Sequence, residues 1–224
     1  MLWQSTSRAL RPVVLVAFLL VISHAHADEY AEPGTYVIAG DGNEIRVLVY
    51  RGGLLGGFGH NHVISTSDIS GRIQIDAQPG SSEVHMTFPV DSLEVDIEDK
   101  RTQEGRAFEK KVSEKARHGT RKNMLGRKLL DSVDYSNIEI RSRYWSGQLP
   151  DILVIAEFTV RDQTNTLEFP AEVSVDEERI VIAGRFTVTH GQLGLKPFTA
   201  VLGTLRVRDE MELKFRITAR RILD

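Results

Sequence analysis

The sequence predicts a mainly β protein in which antiparallel strands enclose an interior and are interrupted by one helical insertion. Over residues 151–219, apolar residues recur at every second position through four successive runs. A period of two is typical of a strand with one covered face and one face in water. Most intervening positions are charged or hydroxylic, whereas strands of a parallel sheet covered on both faces would show unbroken apolar runs. We therefore expect antiparallel strands, and we expect the function to lie in the interior that they enclose.

The four runs share this alternation, and we expect their apolar side chains to form the inner face of the sheet. These positions are Ile152, Val154, Ala156, Phe158 and Val160; Leu167, Phe169, Val173 and Val175; Ile180, Ile182, Phe186 and Val188; and Met211, Leu213, Phe215, Ile217 and Ala219. Upstream, extended segments at residues 35–39 and 44–50 flank a turn signal, and a hairpin turns at residues 78–81. The strand pattern resumes near Ile138.

A change in composition at residues 99–118 predicts the helical insertion. Phe108, Val112 and Ala116 are spaced four apart and Gly119 follows as a C-terminal stop, which indicates an exposed helix with a narrow apolar stripe. Because charges of both signs are interleaved, we interpret them as a solvated face rather than a binding patch. A second short helix is predicted over residues 120–131, with Thr120 as its N-cap.

The N-terminal segment has the features of a secretory signal peptide. Arg8 and Arg11 precede an uncharged apolar run over residues 13–22, and residues 25–27 form a small-x-small cleavage site. The apolar run is shorter than the roughly 20 residues that span a bilayer. We therefore predict a signal peptide at residues 1–27, export to the periplasm, and one domain over residues 28–224 with no transmembrane span. An uncleaved N-terminal anchor is the alternative.

Charge and motif content argue against several classes of function. Removal of the two leader arginines takes the formal net charge from −3 to −5, whereas a nucleic-acid partner favours a basic surface. The chain has no cysteine, which excludes disulfides, thiolate metal sites and a cysteine nucleophile. Gly-x-Ser-x-Gly, phosphate-loop and His-Glu-x-x-His motifs are absent, so we predict no enzymatic activity. We interpret the acidic pair Asp96 and Glu98 as exposed and solubilising.

A glycine-rich segment at residues 51–62 is the least regular part of the sequence, with five glycines between positions 52 and 59. Its large apolar residues, among them Leu55 and Phe58, either close the end of the barrel or contact a ligand. His60 and His62 point to the same side if the segment is extended. They are candidates for a rim or headgroup contact and, more weakly, for metal ligands, whereas solvated turn histidines are the alternative.

Several short motifs, in order, resemble those of the YceI-like family of exported bacterial proteins. These are residues 69–76 with Gly71 and Asp76, residues 90–93, residues 121–131 followed by Tyr135 and residues 138–140, and residues 182–198 with Gly194. The resemblance runs from about Gly34 to Ala219. It implies a lipocalin-like barrel of about eight strands that holds a long amphiphile, such as an isoprenoid or a fatty-acyl chain.

The chain departs from the family pattern at several positions. Lys122 and Met124 stand where the family typically has an aspartate and a histidine, and Leu129 and Leu130 replace its aromatic pair. The His-Gly often seen after the central strand is replaced by residues 161–162, and residues 99–119 resemble an insertion. These departures affect any role tied to the family histidines and leave the barrel itself unaffected.

We therefore predict a periplasmic carrier that holds an apolar chain, with no cofactor other than a bound isoprenoid or fatty-acyl lipid. The candidate lining residues are Leu55, Phe58, Leu125, Leu129, Phe158, Phe169, Phe186 and Phe215. Plain core packing of the same residues is the alternative, because alternation reveals a covered face and not a space behind it.

A second hypothesis is a histidine-dependent metal or redox accessory module beside a membrane electron-transfer protein. A homodimer is compatible with the sequence, and His190 is interpreted as a turn residue rather than a lone acid or base.

Overall fold

The computed structural model describes residues 33–53, 59–76, 81–176, 178–200 and 205–222. The predicted signal peptide lies outside these residues. The strands are β1 (Gly34–Ile38), β2 (Glu44–Gly52), β3 (His62–Thr66), β4 (Ser70–Ile75), β5 (Glu83–Pro89), β6 (Glu94–Val95), β7 (Asn137–Gln148), β8 (Asp151–Val160), β9 (Gln163–Val175), β10 (Arg179–Thr189), β11 (Thr199–Ala200) and β12 (Leu205–Arg221). The helices are α1 (Glu98–Gln103) and α2 (Glu114–Leu125).

The strands close into an eight-stranded antiparallel barrel, which confirms the predicted fold class. Three of the eight barrel strands are interrupted, and each consists of two shorter strands: β1 with β2, β3 with β4, and β5 with β6. The first two interrupted barrel strands pair along their length, because β1 pairs with β4 and β2 with β3. The remaining barrel strands are β7, β8, β9, β10 and β12. Closure is made by β12, which pairs with β10 on one edge and with both β1 and β2 on the other.

The predicted alternation along the last four long strands is confirmed. The β12 residues Met211, Leu213, Ile217 and Ala219 are all buried, and β8 buries every second residue from Ile152 to Val160. These side chains belong to one apolar cluster inside the barrel. Their neighbours along each strand point outwards and are exposed or half-buried, as expected for strands with one face in water.

The two ends of the barrel differ. At one end, here called the helical end, β2, β8 and β10 end, β3, β7, β9 and β12 begin, and the chain between β6 and β7 forms the helices. Towards the opposite end the interior is close to filled, since the space among Trp145, Ile152, Ile182 and their neighbours has a volume of about 40 Å³. Larger open space inside the barrel therefore lies towards the helical end.

The predicted helix boundaries in the insertion are wrong. The first predicted helix divides into α1, a 3₁₀ turn at Arg106–Phe108 and the start of α2, because Gly105 at φ 74° breaks the helix after α1. Ser113, not Thr120, caps α2 by accepting a hydrogen bond from the amide of Ala116. Gly119 lies inside α2, and residues 126–134 form turns rather than a second helix.

Charged contacts fix the insertion to the outside of the barrel. Glu104, just after α1, accepts hydrogen bonds from Arg46 of β2 and Lys214 of β12, each at 2.5 Å. Burial raises the pKa of Glu104, but these two cations outweigh burial and hold the pKa below its ordinary value. Phe108 anchors the following turn in a small apolar cluster with Leu48 and Val63. In the described part of the chain, no helix is long and apolar enough to cross a membrane.

Candidate functional site

A cavity of about 510 Å³ occupies the helical half of the barrel. Its wall is mainly aliphatic and aromatic. The apolar side chains that line it are Ile45, Val47, Val49, Ile64, Met86, Phe88, Leu93, Met124, Leu129, Leu130, Ile138, Ile140, Phe158, Val160, Phe169, Phe186, Leu193, Leu195, Phe198, Val207, Met211, Leu213 and Phe215. This volume falls within the range of roughly 300–1,000 Å³ typical of small-molecule sites.

The four strand phenylalanines named from the sequence meet in the cavity wall. Phe169 and Phe186 are stacked, with ring centroids 4.5 Å apart and planes 13° apart. Phe158 and Phe215 contact this pair edge-on, at 5.9 Å and 5.7 Å from Phe169. Edge-to-face and offset-stacked rings attract one another beyond their burial. The four rings therefore form a well-packed aromatic part of the cavity wall.

The stacked pair lies where two strands of the barrel separate. Over the described residues, β9 and β10 pair only from Glu172 to Val175 against Ile180 to Ala183. Nearer the helical end, rings of the two strands stack in place of backbone pairing. Gly184 leaves room for the ring of Phe215 beside this stack, since a Cβ there would lie 2.6 Å from that ring.

Of the other four predicted lining residues, one lines the cavity, one does not, and two lie outside the described part of the chain. Leu129 contributes to the cavity wall from the turn after α2. Leu125 is half-buried against the apolar core and is not part of the wall, because the last turn of α2 presents Met124 there instead. Leu55 and Phe58 lie outside the described residues.

Polar side chains are confined to the entrance and adjoining wall of the cavity. Three of the lining residues, Arg51, Asn123 and Arg206, are exposed and mark the mouth. The other polar side chains of the lining are His60, His62, Thr120 and His190. No acidic side chain lines the cavity within the described residues. The mouth is therefore polar and cationic, whereas the interior is apolar.

A buried carboxylate orients His62. Asp96 has its side chain fully buried, and its Oδ2 lies 2.7 Å from Nδ1 of His62. Its Oδ1 accepts hydrogen bonds from the Val63 amide at 2.9 Å and from Arg101 at 2.5 Å. Burial raises the pKa of Asp96, but the His62 and Val63 hydrogen bonds and the Arg101 charge outweigh it and hold the pKa below its ordinary value. The prediction that Asp96 is exposed is wrong.

Arg101 extends this contact into the insertion. Besides Asp96, it donates to the carbonyl oxygens of Asn61, Phe108 and Lys110 at 2.7, 2.7 and 2.9 Å. The guanidinium therefore ties α1, the 3₁₀ turn and the segment before β3 together around the buried carboxylate. The position of His62 in the cavity wall thus depends on the insertion.

His60 lies beside His62, with ring centroids 6.3 Å apart. Burial and the nearby charge of Lys110 lower the pKa of His60, which favours the neutral imidazole at neutral pH. Within the residues that the structure describes, no group of three or more His, Asp or Glu side chains is arranged to hold a metal ion. Both histidines line the cavity.

Sequence reasoning missed several residues of this site. Arg51 and Arg206 gave no local signal, because they lie near the end of β2 and near the start of β12, and these strand ends meet only after closure of the barrel. His190 does precede a turn, as predicted, but it is buried at 3 % exposure in the cavity wall, with Nδ1 2.9 Å from the Asp209 carbonyl oxygen. Asp96 was predicted to be exposed because it alternates with the apolar residues Val95 and Ile97, and a polar position in such a run normally faces solvent.

The fold and the cavity define a class, that of small antiparallel β-barrels with an open apolar interior. The sequence model of the YceI-like domain matches residues 36–219, and the chain belongs to the YceI-like family. No curated protein matches the sequence.

Three solved structures share the fold. Burkholderia cenocepacia BcnA aligns with a TM-score of 0.57 and 13 % identity over 79 % of this chain and 95 % of that chain. A polyisoprenoid-binding domain from Saccharophagus degradans aligns at 0.57 and 11 %, over 85 % of this chain and 100 % of that chain. The Campylobacter jejuni YCEI protein aligns at 0.50 and 10 %, over 71 % and 85 %. At such low identity the similarity concerns the fold alone.

Proposed function

We propose that this protein binds the apolar chain of an amphiphile, such as an isoprenoid or fatty-acyl lipid, inside the barrel and carries it in the periplasm. The observation that carries the proposal is the cavity of about 510 Å³ with an apolar wall and a polar mouth. Such a shape suits a molecule with a hydrocarbon chain and a polar head. Binding rather than catalysis is the activity that this arrangement supports.

The energetics of chain burial support this function. Each methylene moved from water into an apolar environment contributes about 0.8 kcal/mol. Association costs on the order of 4–15 kcal/mol in lost freedom of motion, so a chain of about a dozen carbons is needed for useful affinity. A pre-formed cavity reduces this cost because the wall need not reorganise on binding.

The family and its structural relatives support the same assignment. One relative that shares the fold is a polyisoprenoid-binding domain. The signal-peptide features of residues 1–27 support periplasmic location, which cell fractionation would test by recovering the processed chain from the periplasm.

Analysis of the protein purified from its own cells tests the proposal. Native mass spectrometry should detect a non-covalent adduct, and solvent extraction should recover a lipid with a long apolar chain in near-stoichiometric amount. A protein that carries no lipid and takes up no fluorescent fatty-acid or isoprenoid probe would contradict the proposal. The proposal would also be contradicted by a stoichiometric bound metal that is lost in the His60→Ala and His62→Ala variants. The metal or redox hypothesis requires that result.

A further inference from the structure

Basic residues are concentrated in one segment of an otherwise acidic chain. Residues 106–128, which include α2, hold nine Lys or Arg and two Glu, a formal charge of +7. Since the whole chain carries −3, the other 201 residues sum to −10. A strongly basic region on an acidic protein produces a directional electrostatic field. The segment is therefore a candidate surface for an anionic partner.

The charges of this segment are not neutralised within the protein. Across the described part of the chain, none of the nine cations forms an ion pair with a carboxylate, whereas the barrel residues Arg46, Arg143 and Arg185 each pair with a glutamate. Seven of the nine side chains are exposed: Arg106, Lys110, Lys111, Lys115, Lys122, Arg127 and Lys128. We call these seven residues the basic cap. Their positive charges therefore face solvent without a paired carboxylate among the described residues.

Two residues of the basic cap, Lys110 and Lys122, adjoin residues of the cavity mouth. Lys110 and Arg51 both donate to the carbonyl oxygen of Gly59, at 3.5 Å and 3.2 Å, and Gly59 and Arg51 line the cavity. On α2, Lys122 directly precedes Asn123, an exposed residue of the mouth. Arg206 adds another cation at the mouth. The cationic surface thus continues from the helices to the rim of the apolar cavity.

We propose that the helical end docks on the surface of an anionic lipid bilayer with the cavity mouth towards the lipid. Juxtamembrane basic clusters are attracted to anionic headgroups, and each Lys or Arg near the surface strengthens binding about fivefold. A bilayer fits better than a nucleic acid or an acidic protein, because the basic cap adjoins the entrance to an apolar cavity that exchanges its contents most directly with a lipid phase. The choice of a bilayer as the partner therefore rests on the proposed function, whereas the docking measurement itself does not require bound cargo.

Vesicle flotation tests this docking. Vesicles of phosphatidylcholine with about one third phosphatidylglycerol should retain the protein, and vesicles of phosphatidylcholine alone should not. Raising the salt from about 0.1 M to about 1 M shortens the screening length from about 10 Å to about 3 Å and should abolish retention. The triple variant Lys115→Gln, Lys122→Gln and Lys128→Gln should bind anionic vesicles about a hundredfold more weakly.

Matched variants separate location from net charge. The triple variant Arg72→Gln, Arg216→Gln and Arg220→Gln removes three exposed cations from the strands and should lose much less binding. Replacement of the same three cap lysines by arginine should retain binding. All variants share one N-terminus, so any contribution of residues 1–27 is common to them.

Equal losses in the two glutamine triples, equal binding to neutral vesicles, or binding only to an acidic protein or nucleic acid would overturn the proposal. Uptake of a soluble lipid probe, measured separately, should not change in the cap triple, so that failure of docking and failure of cargo binding are distinguishable.

Discussion

The Oδ1 atom of Asp96 lies 2.5 Å from Nη1 of Arg101, and both side chains are buried where the insertion meets the barrel. The carboxylate also fixes His62 in the cavity wall. A buried ion pair that loses one member leaves the other charge uncompensated, which costs far more than loss of an exposed pair. This contact therefore couples the stability of the fold to the geometry of the site.

Asp96→Asn should reduce the free energy of unfolding by about 2–4 kcal/mol at neutral pH, because Arg101 would lose its buried counter-charge. Asparagine tolerates the φ of 56° at this position, so the variant isolates charge from backbone strain. The folded-state pKa of Asp96 lies below its ordinary value of 3.8, so its contribution is complete above that value and is lost as the pH falls through the folded pKa.

Urea unfolding at a series of pH values checks this expectation. The difference between wild type and Asp96→Asn should shrink as the solution is acidified below about pH 4. Glu168→Gln removes an exposed carboxylate from β9 and should change stability by less than about 0.5 kcal/mol. A difference between wild type and Asp96→Asn that is constant across the acidic range would contradict the assigned role of the carboxylate.

Gly71→Ala and Gly119→Ala should have effects of opposite sign. A Cβ at Gly71 would lie 2.2 Å from the carbonyl oxygen of His85 and 2.7 Å from the Cα of Met86, so β4 and β5 would have to separate, at a cost of about 1–3 kcal/mol. A Cβ at Gly119 meets nothing within 4 Å inside α2, so alanine there should stabilise by about 0.5–1 kcal/mol. Thermal melts of the two variants would disprove this explanation if they moved in the same direction.

Phe108→Ala should loosen the insertion before it affects the barrel. Phe108 is 2 % exposed, and its ring lies 5.6 Å from that of Tyr50. Loss of a buried phenylalanine costs about 3–5 kcal/mol. Hydrogen exchange should accelerate across residues 98–113, with much smaller changes in β8 and β9. Val133→Ala, at a position 86 % exposed, is the control; unchanged exchange in Phe108→Ala would show that this ring does not anchor the insertion.

Leu213→Trp should block the cavity without unfolding the protein, because Leu213 lines open space that a larger side chain can occupy. Leu153→Trp adds the same side chain to the outer face of β8, where residue 153 is 38 % exposed. Displacement of a fluorescent lipid probe should show at least about tenfold weaker binding in Leu213→Trp and unchanged binding in Leu153→Trp. Equal affinities would indicate that lipid does not enter the barrel at this level.

The strand pattern was predictable because it depends on local alternation. Phe158, Phe169, Phe186 and Phe215 each lie at an inward position of an alternating run, and the structure brings them together. The helix boundaries were not predictable to the same degree. A spacing of four from Phe108 to Ala116 suggested one helix, but Phe108 packs against the barrel in a separate turn. Local pattern does not reveal which surface a side chain will contact.

The sequence by itself determined an antiparallel β fold, the inward set of apolar side chains and the absence of cysteine chemistry, because alternation and composition are properties of neighbouring residues. Only the tertiary structure decided that space remains among those side chains, that Asp96 is buried against Arg101, and that Arg51 and Arg206 lie at one mouth with Lys110 beside it. These features depend on closure of the barrel, which brings together chain segments more than 100 residues apart, such as the paired residues Gly52 and Arg206. No periodicity along the chain encodes that distance.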